Sequence, residues 1–139
     1  MCGILGIVNF KKNINSFIPK FRTSLNLLNH RGPDYSDIYF DNNNNFIIGH
    51  ARLSIRDLSS NGNQPKVSKD KRYIFTYNGE LYNQGELFDN LNNKTKKLIS
   101  LSCDTDILFM HLIEFGIKKA LEITKGMFSF CLFDTAENK

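Results

Sequence analysis

The sequence predicts an α+β fold with mostly antiparallel sheets. Strand-like segments cluster along the chain instead of alternating strictly with helical ones, in the order β, α, several β, α, β, α, α, β. The chain has 139 residues, of which 41% are apolar, and this is enough for one domain with its own core. Together these observations favour a core of two sheets with helices outside them.

The first half of the chain predicts one strand, one helix and one hairpin. The apolar run 4–8 is typical of a buried strand. Ser16 is placed to cap a helix that reaches Asn29, because apolar residues recur there at helical spacing. Gly32-Pro33 marks the tight turn that ends this helix. Two segments then predict a hairpin around an asparagine-rich loop: strands 38–40 and 46–49, and loop 41–45.

The second half of the chain is predicted to mix strands and helices. Periodicity assigns the stretch 50–58 to neither a helix nor a strand, and 59–65 is predicted as a loop. The elements that follow are a strand at Tyr73–Tyr77, a helix at Gln84–Leu91, a strand at Lys97–Leu101, a helix at Thr105–Phe115, a helix at Ile117–Ile123 and a strand at Met127–Phe133. Asp104 or a neighbour would cap the helix that begins at Thr105, and Gly116 would end it.

Composition argues against several function classes. The three cysteines contain no CxxC pair, and the three histidines lack metal-ligand spacing, so we expect neither a disulfide framework nor a metal site. The net charge of +4 is scattered along the chain, which speaks against nucleic-acid binding. We expect no membrane segment, because no apolar run approaches about 18 residues. A signal peptide is not expected, and the predicted compartment is the cytoplasm.

Cys2 is the candidate nucleophile. Removal of Met1 would place its thiol beside its own α-amine. In short peptides such an amine has a pKa of about 7.7–8.0, so part of it is unprotonated near neutral pH and can accept the thiol proton. One residue then supplies both nucleophile and base. The alternative is a cysteine that packs as a small apolar side chain.

Three further positions could bind substrate or stabilise charge. Asn78-Gly79 is usually a hairpin turn, but here a helical segment follows it, so an oxyanion hole of the Asn78 amide and the Gly79 N–H stays open. The guanidinium of Arg52 suits a carboxylate, although a surface arginine is the alternative. Asp104 could hold an ammonium group or serve only as a helix cap.

Several motifs together resemble one family. The chain is similar to the glutaminase domain of class II glutamine amidotransferases, specifically the branch of the glutamine-hydrolysing asparagine synthetases, from the first residue nearly to the last. The motifs are Met1-Cys2-Gly3-Ile4, His30-Arg31-Gly32-Pro33-Asp34, Arg52-Leu53-Ser54-Ile55, Gln64-Pro65, Asn78-Gly79-Glu80-Leu81-Tyr82-Asn83, Asp104 and Gly126-Met127-Phe128-Ser129-Phe130.

The resemblance implies a fold and a reaction. The fold would be the N-terminal-nucleophile hydrolase sandwich with four layers, α-β-β-α. Cys2 would attack the glutamine side-chain amide to give a thioester, with Asn78 and Gly79 as the oxyanion hole. Glutamate and ammonia would be released, and no cofactor or metal would be needed. The ammonia would serve ATP-dependent amidation of aspartate in a synthetase domain, which would bind ATP and Mg²⁺.

The resemblance also implies the residues that bind glutamine. Arg52 would hold the α-carboxylate, Glu80 and Asp104 would face the α-ammonium, and the backbone at Leu53 and Ile55 would line the pocket. One departure from the family is Ser102-Cys103 before Asp104, where the family usually has glycine.

The length of the chain leaves alternatives open. Residues 1–139 would be the glutaminase domain, incomplete at its carboxyl end and without the synthetase domain. The expected partners are L-glutamine, the synthetase domain of the same chain and a possible second copy. The alternatives to glutamine hydrolysis for asparagine synthesis are a non-catalytic fragment that binds glutamine or a partner, and a glutaminase domain serving sugar or peptide amidation.

Overall fold

The computed structural model describes residues 1–8, 13–55 and 58–139. It has mixed α and β structure, and the strand pairs with an assigned register are antiparallel, as predicted. The strands are β1 (Gly3–Val8), β2 (Tyr35–Asp41), β3 (Phe46–Arg52), β4 (Lys66–Val67), β5 (Tyr73–Leu81) and β6 (Gly126–Asp134). The α-helices are α1 (Ile18–Asn26), α2 (Gln84–Asn90), α3 (Asn93–Lys96), α4 (Asp104–Phe115) and α5 (Ile117–Ile123).

The strands form two three-stranded sheets, with the orders β1-β3-β2 and β4-β5-β6. The chain also divides into two compact units. The first unit comprises Met1–Ser54, Asn63–Asn78 and Phe130–Lys139. The second unit comprises Ile55–Gly62 and Gly79–Ser129.

The core of the first unit lies on both faces of the β1-β3-β2 sheet. Successive side chains of a strand point to opposite faces, so neighbouring residues of β3 enter different clusters. Ile47 packs on one face with Ile14 and Phe21 from the helical segment. Phe46 and Ile48 pack on the other face with Ile74 of β5 and Phe133 of β6. Within this unit, helix, sheet and further strands therefore follow one another as layers.

The core of the second unit is helical. Helix α4 packs against α2 and α5, and it buries Ile107, Leu108 and Leu112. His111, also buried, donates from Nε2 to the carbonyl of Leu87 in α2 at 2.6 Å. Helix α4 begins one residue earlier than predicted, and Cys103 occupies its N-cap without a side-chain hydrogen bond. The stop at Gly116 is confirmed, since this residue has φ = +77°, which favours glycine.

The hairpin prediction is confirmed, with strands longer than expected. β2 and β3 pair from Tyr35↔Arg52 to Asp41↔Phe46. The asparagine-rich loop is stabilised by Asp41, whose Oδ1 accepts the N–H groups of Asn43 at 2.8 Å and Asn44 at 3.1 Å. This is the local side-chain bonding that makes aspartate and asparagine favourable in turns.

Two predictions about helix starts and strands are wrong. Ser16 does not cap α1; its hydroxyl donates to the carbonyl of Asn13, whose side chain caps a 3₁₀ helix that precedes α1. The predicted strand 97–101 is also absent. Asn92 accepts the N–H groups of Lys94 and Thr95 and so begins helix α3, after which the chain turns.

Smaller differences concern strand extents. β1 is only partly buried, because Val8 is 52% exposed. The short strand β4 was not predicted, and β5 continues past Tyr77 to Leu81. Helix α1 ends at Asn26, before the predicted Asn29. Of the unassigned stretch 50–58, residues 50–52 belong to β3, and 56–57 lie outside the described residues.

Acid is expected to destabilise the protein through His50. Burial, reinforced by the charge of Arg52, lowers the pKa of this histidine from 6.5 to about 4. As the pH falls below 6.5 the unfolded chain therefore takes up a proton before the folded one does. The unfolding free energy should drop by about 3 kcal/mol between pH 6.5 and pH 4. Urea unfolding at pH 6.5 and pH 4 measures this loss.

Asp134 is a second acid-sensitive group. It titrates at a lower pH than His50, so the contributions of the two groups to stability can be separated. Arg72 forms a bidentate ion pair with Asp134, which lowers the pKa of that carboxyl to about 2. Its contribution is lost only as the pH falls from about 4 to about 2. A His50→Gln variant should therefore flatten the slope between pH 6.5 and pH 4.5. An unchanged slope in this variant would contradict the assignment to His50.

Candidate functional site

Cys2 lies immediately before β1, where strand pairing fixes its position. Gly3 pairs with Ala51 near the end of β3. The half-buried Cys2 thiol lies against the backbone of Leu53, with 3.4 Å between Sγ and the Leu53 nitrogen and 3.8 Å between Sγ and the Leu53 carbonyl oxygen. Two of the predicted site residues are therefore brought together in the first unit.

Residues of the turn 31–34 form hydrogen bonds with both chain segments next to the Cys2 thiol, namely Cys2 itself and the residues 52–54. Arg31 donates from Nε to the carbonyl oxygen of Cys2 at 3.1 Å. The N–H of Asp34 donates to the carbonyl of Arg52 at 3.0 Å, and the Asp34 carboxylate accepts the N–H of Ser54 at 2.6 Å. The sequence motif therefore has a structural explanation: it orients Cys2 and the residues that follow β3.

Gly32 lets this turn approach β3. A Cβ atom at Gly32 would lie 2.2 Å from the carbonyl oxygen of Ala51 and 2.6 Å from the nitrogen of Arg52. Both atoms belong to the backbone of a paired strand, which cannot move aside as a flexible side chain can. Glycine is therefore required for contact between the turn and the strand.

Gly32→Ala is expected to lower the unfolding free energy by about 3 kcal/mol, since the new methyl group overlaps fixed backbone. Gly85→Ala is the matched control. Gly85 lies in α2, and a methyl group added there would meet no atom within 4 Å, so the alanine should be neutral or stabilise by about 0.5 kcal/mol. Urea unfolding of the two variants measures both effects. Equal stability of the two would contradict the packing argument.

Arg52 is not a surface arginine, because it is only 6% exposed. It is the last residue of β3, and its Nη1 donates to the side-chain carbonyl of Asn63 at 2.7 Å. This hydrogen bond to a neutral amide helps to orient the guanidinium. Sequence reasoning did not identify Asn63, which carries no charge and forms no motif with Arg52.

Asn78-Gly79 does not form a hairpin turn. Both residues lie inside β5, which continues to Leu81. Asn78 is half-buried and follows Tyr77, whose backbone is held by two buried side chains. Gln64 accepts the Tyr77 N–H at 2.6 Å and donates to the Tyr77 carbonyl at 3.1 Å, and His50 donates from Nε2 to the same carbonyl at 3.1 Å.

In the second unit, two glycines allow β5 and β6 to lie unusually close. A Cβ at Gly79 would be 2.3 Å from the Cβ of Phe128, and a Cβ at Gly126 would be 2.2 Å from the carbonyl oxygen of Glu80. A side chain at Gly79 is therefore excluded. Gly79 itself is exposed.

Asp104 is bonded, within the second unit, to the strand that carries Glu80. Asp104 lies in the first turn of α4, and its Oδ2 accepts the N–H of Leu81, the residue after Glu80, at 3.4 Å. Asp104 is half-buried and Glu80 is exposed. Ile55, the remaining predicted site residue, belongs to the same unit and is 72% exposed.

Metal-binding and membrane-spanning features are not found in the part of the chain that the structure describes. Within residues 1–8, 13–55 and 58–139, His, Cys, Asp and Glu side chains form no group of three or more that could hold a metal ion. Across these same ranges, every helix is too short or too polar to cross a membrane.

Comparison with known proteins identifies the family. A family model described as "Glutamine amidotransferase domain" matches residues 1–139. The chain is 36% identical to a nodule asparagine synthetase [glutamine-hydrolyzing] of Pisum sativum, over 99% of this chain and 22% of that protein. It is 37% identical to a probable asparagine synthetase [glutamine-hydrolyzing] of Schizosaccharomyces pombe, over 100% of this chain and 24% of that protein.

A third relative comes from an archaeon. A putative asparagine synthetase [glutamine-hydrolyzing] of Methanocaldococcus jannaschii is 35% identical, over 96% of this chain and 28% of that protein. The chain thus spans about a quarter of the length of the curated relatives it matches. With a match over its full length and with the thiol, arginine and strand geometry described above, the chain belongs to the glutamine amidotransferase domain family.

Proposed function

We propose that this chain hydrolyses the side-chain amide of L-glutamine, with Cys2 as the nucleophile. The observation that carries the proposal is the position of the Cys2 thiol, in contact with the backbone of Leu53 and held by the 31–34 turn. The neighbouring residue Arg52 is a buried cation, which suits the α-carboxylate of an amino acid. The names of the relatives, which specify glutamine hydrolysis, support the same reaction.

The proposed reaction uses a single residue as nucleophile and base. After removal of Met1, the free amine of Cys2 accepts the thiol proton, and the sulfur attacks the amide carbon of glutamine. The amine then returns the proton to the departing nitrogen, so that ammonia leaves and a thioester remains. Water attacks the thioester, glutamate is released and the thiol is restored.

The oxyanion formed in both steps needs fixed donors. We assign this role to the side-chain amide of Asn78 and the N–H of Gly79. Their position inside β5 supports the assignment, because a paired strand is more rigid than a turn. The exposure of Gly79 supports the same assignment.

The zwitterionic end of glutamine needs one cation and at least one anion. We assign the α-carboxylate to Arg52 and the α-ammonium to Glu80 and Asp104. The link from Asp104 to the N–H after Glu80 supports treating these two carboxylates as one anionic site of the second unit. We assign the remaining glutamine contacts to the backbone at Leu53 and Ile55.

We further propose that residues 1–139 are the glutaminase domain of a longer, cytoplasmic synthetase. The chain matches only about a quarter of its relatives, which are named as asparagine synthetases. In such a protein the ammonia would amidate aspartate in a synthetase domain that binds ATP and Mg²⁺. The complete domain would have the four-layer α-β-β-α sandwich; the layers of helix, sheet and further strands in the first unit support this arrangement.

Two measurements test the proposed reaction. Purified protein should release ammonia and glutamate in equal amounts from L-glutamine, and D-glutamine should be a much poorer substrate because its α-groups are reversed. Added hydroxylamine should divert part of the product to γ-glutamyl hydroxamate, since it attacks the thioester in place of water. Glutamine binding without any product would instead indicate the non-catalytic alternative.

A further inference from the structure

The Asn63-Gln64 dipeptide contacts two of the proposed active-site elements in the first unit. Asn63 accepts a hydrogen bond from Arg52, and Gln64 bonds to both backbone groups of Tyr77, the residue before Asn78. Gln64 is 5% exposed and His50 is fully buried, so these bonds form away from water. Buried hydrogen bonds of this kind are costly to break.

Gln64 bonds to both the N–H and the carbonyl group of Tyr77, as a neighbouring strand does elsewhere in a sheet. Its amide supplies one acceptor and one donor to the same residue, at 2.6 and 3.1 Å. His50 adds a second donor to the Tyr77 carbonyl at 3.1 Å. A carbonyl oxygen has two lone pairs, so both can be accepted at once.

These bonds fix more than Tyr77. The Tyr77 carbonyl and the Asn78 nitrogen belong to one planar peptide unit. The two donors that bond to the Tyr77 carbonyl therefore fix the orientation of this peptide plane. The plane in turn sets the direction in which the Asn78 side chain extends. An oxyanion donor must be held to within about 0.5 Å of its productive position.

We propose that Asn63 and Gln64 are positioning residues: Gln64 orients the Asn78 amide through the Tyr77 peptide, and Asn63 orients the guanidinium of Arg52. This inference rests on the proposed glutamine hydrolysis. It predicts separate kinetic effects for two adjacent residues. Loss of Gln64 weakens transition-state stabilisation, whereas loss of Asn63 weakens binding of the substrate carboxylate.

For Gln64 the test variant is Gln64→Glu, which keeps the shape but replaces the donor with a carboxylate oxygen facing the Tyr77 carbonyl. We expect kcat for glutamine to fall about 10- to 100-fold, with KM changed less than about threefold. Below the pKa of the new glutamic acid its O–H can donate again. The ratio of the variant's kcat to that of the wild type should therefore rise as the pH falls, which a general loss of folding would not produce.

For Asn63 the test variant is Asn63→Ala. We expect KM for glutamine to rise about tenfold, with kcat changed less than about threefold, because the guanidinium loses one of the acceptors that orient it. Rates are expressed per folded protein, with the folded fraction of each variant taken from its urea unfolding curve. This normalisation removes any effect of unfolded protein.

Controls separate this inference from the proposed function. Gln84→Glu makes the same chemical change in the second unit, where Gln84 donates to the carbonyl of Leu101, and kcat should stay within about twofold. If Gln64→Glu does not fold, Gln64→Met removes the same bonds at similar length. A wild-type protein without glutaminase activity overturns the proposed function. An active wild type with unchanged kcat in the Gln64 variants and unchanged KM in Asn63→Ala overturns the positioning roles.

Discussion

Replacing Cys2 by alanine is expected to reduce glutamine hydrolysis by at least about four orders of magnitude. The thiol is the only group to which the glutamyl carbon is transferred in the proposed reaction, so no thioester can form without it. The hydroxamate product should disappear together with glutamate. The measurement is ammonia release under saturating glutamine, with enough protein to detect the residual rate.

The same variant should remain folded. The Cys2 side chain is half-buried and contacts the Leu53 backbone through two long sulfur hydrogen bonds, so its removal should cost less than about 1 kcal/mol. Cys131→Ala is the matched control, since Cys131 is exposed and should not affect the rate. Retention of activity in Cys2→Ala would rule out the proposed nucleophile.

The sequence predicts those site residues that have distinctive chemistry or stand in a distinctive sequence context. Cys2 is predicted because it follows the initiator methionine, and Asn78-Gly79 because no second strand follows it. The structure explains the latter: β5 runs through the dipeptide, and Gly79 is needed because β6 lies against it. Burial of Arg52 could not be predicted, because nothing in the sequence around it sets it apart from a surface arginine.

The supporting roles of three residues were not predicted, although Asp34 and Gln64 belong to motifs of the resemblance, because their bonding partners are distant in sequence. Asn63 bonds to a residue 11 positions away, Gln64 to one 13 positions away and Asp34 to one 20 positions away. Each forms its bond through a polar side chain that would be unremarkable in a loop. Only the tertiary fold shows which elements of the candidate site these side chains contact.

The errors in secondary structure have a related cause. Lys97–Leu101 is rich enough in apolar residues to suggest a strand, yet Leu98 is 76% exposed and Leu101 is 47% exposed. The segment before it is instead governed by Asn92, which caps α3 and is itself bonded to Glu114 of α4. A cap reinforced from another helix outweighs a weak local preference for strand.

Blocking the amine of Cys2 is expected to lower the rate of glutamine hydrolysis by about 10³-fold, even though the thiol remains. A chain that carries a protease recognition sequence before Cys2 has an amide nitrogen there, which cannot accept a proton. General-base catalysis typically contributes 10²- to 10⁴-fold, and the departing ammonia would also lose its proton donor. Met1 is 72% exposed, so an extension at this end should leave the core unchanged.

Cleavage of the same purified protein should restore the full rate, because it leaves Cys2 as the first residue with a free amine. Mass spectrometry before and after cleavage identifies the terminus, and ammonia release gives the rate of each form. The same extension on Cys2→Ala should be inactive in both forms, which excludes a contribution from the protease. If the uncleaved protein already hydrolyses glutamine at the rate of the cleaved one, the proton acceptor must be a group other than the α-amine.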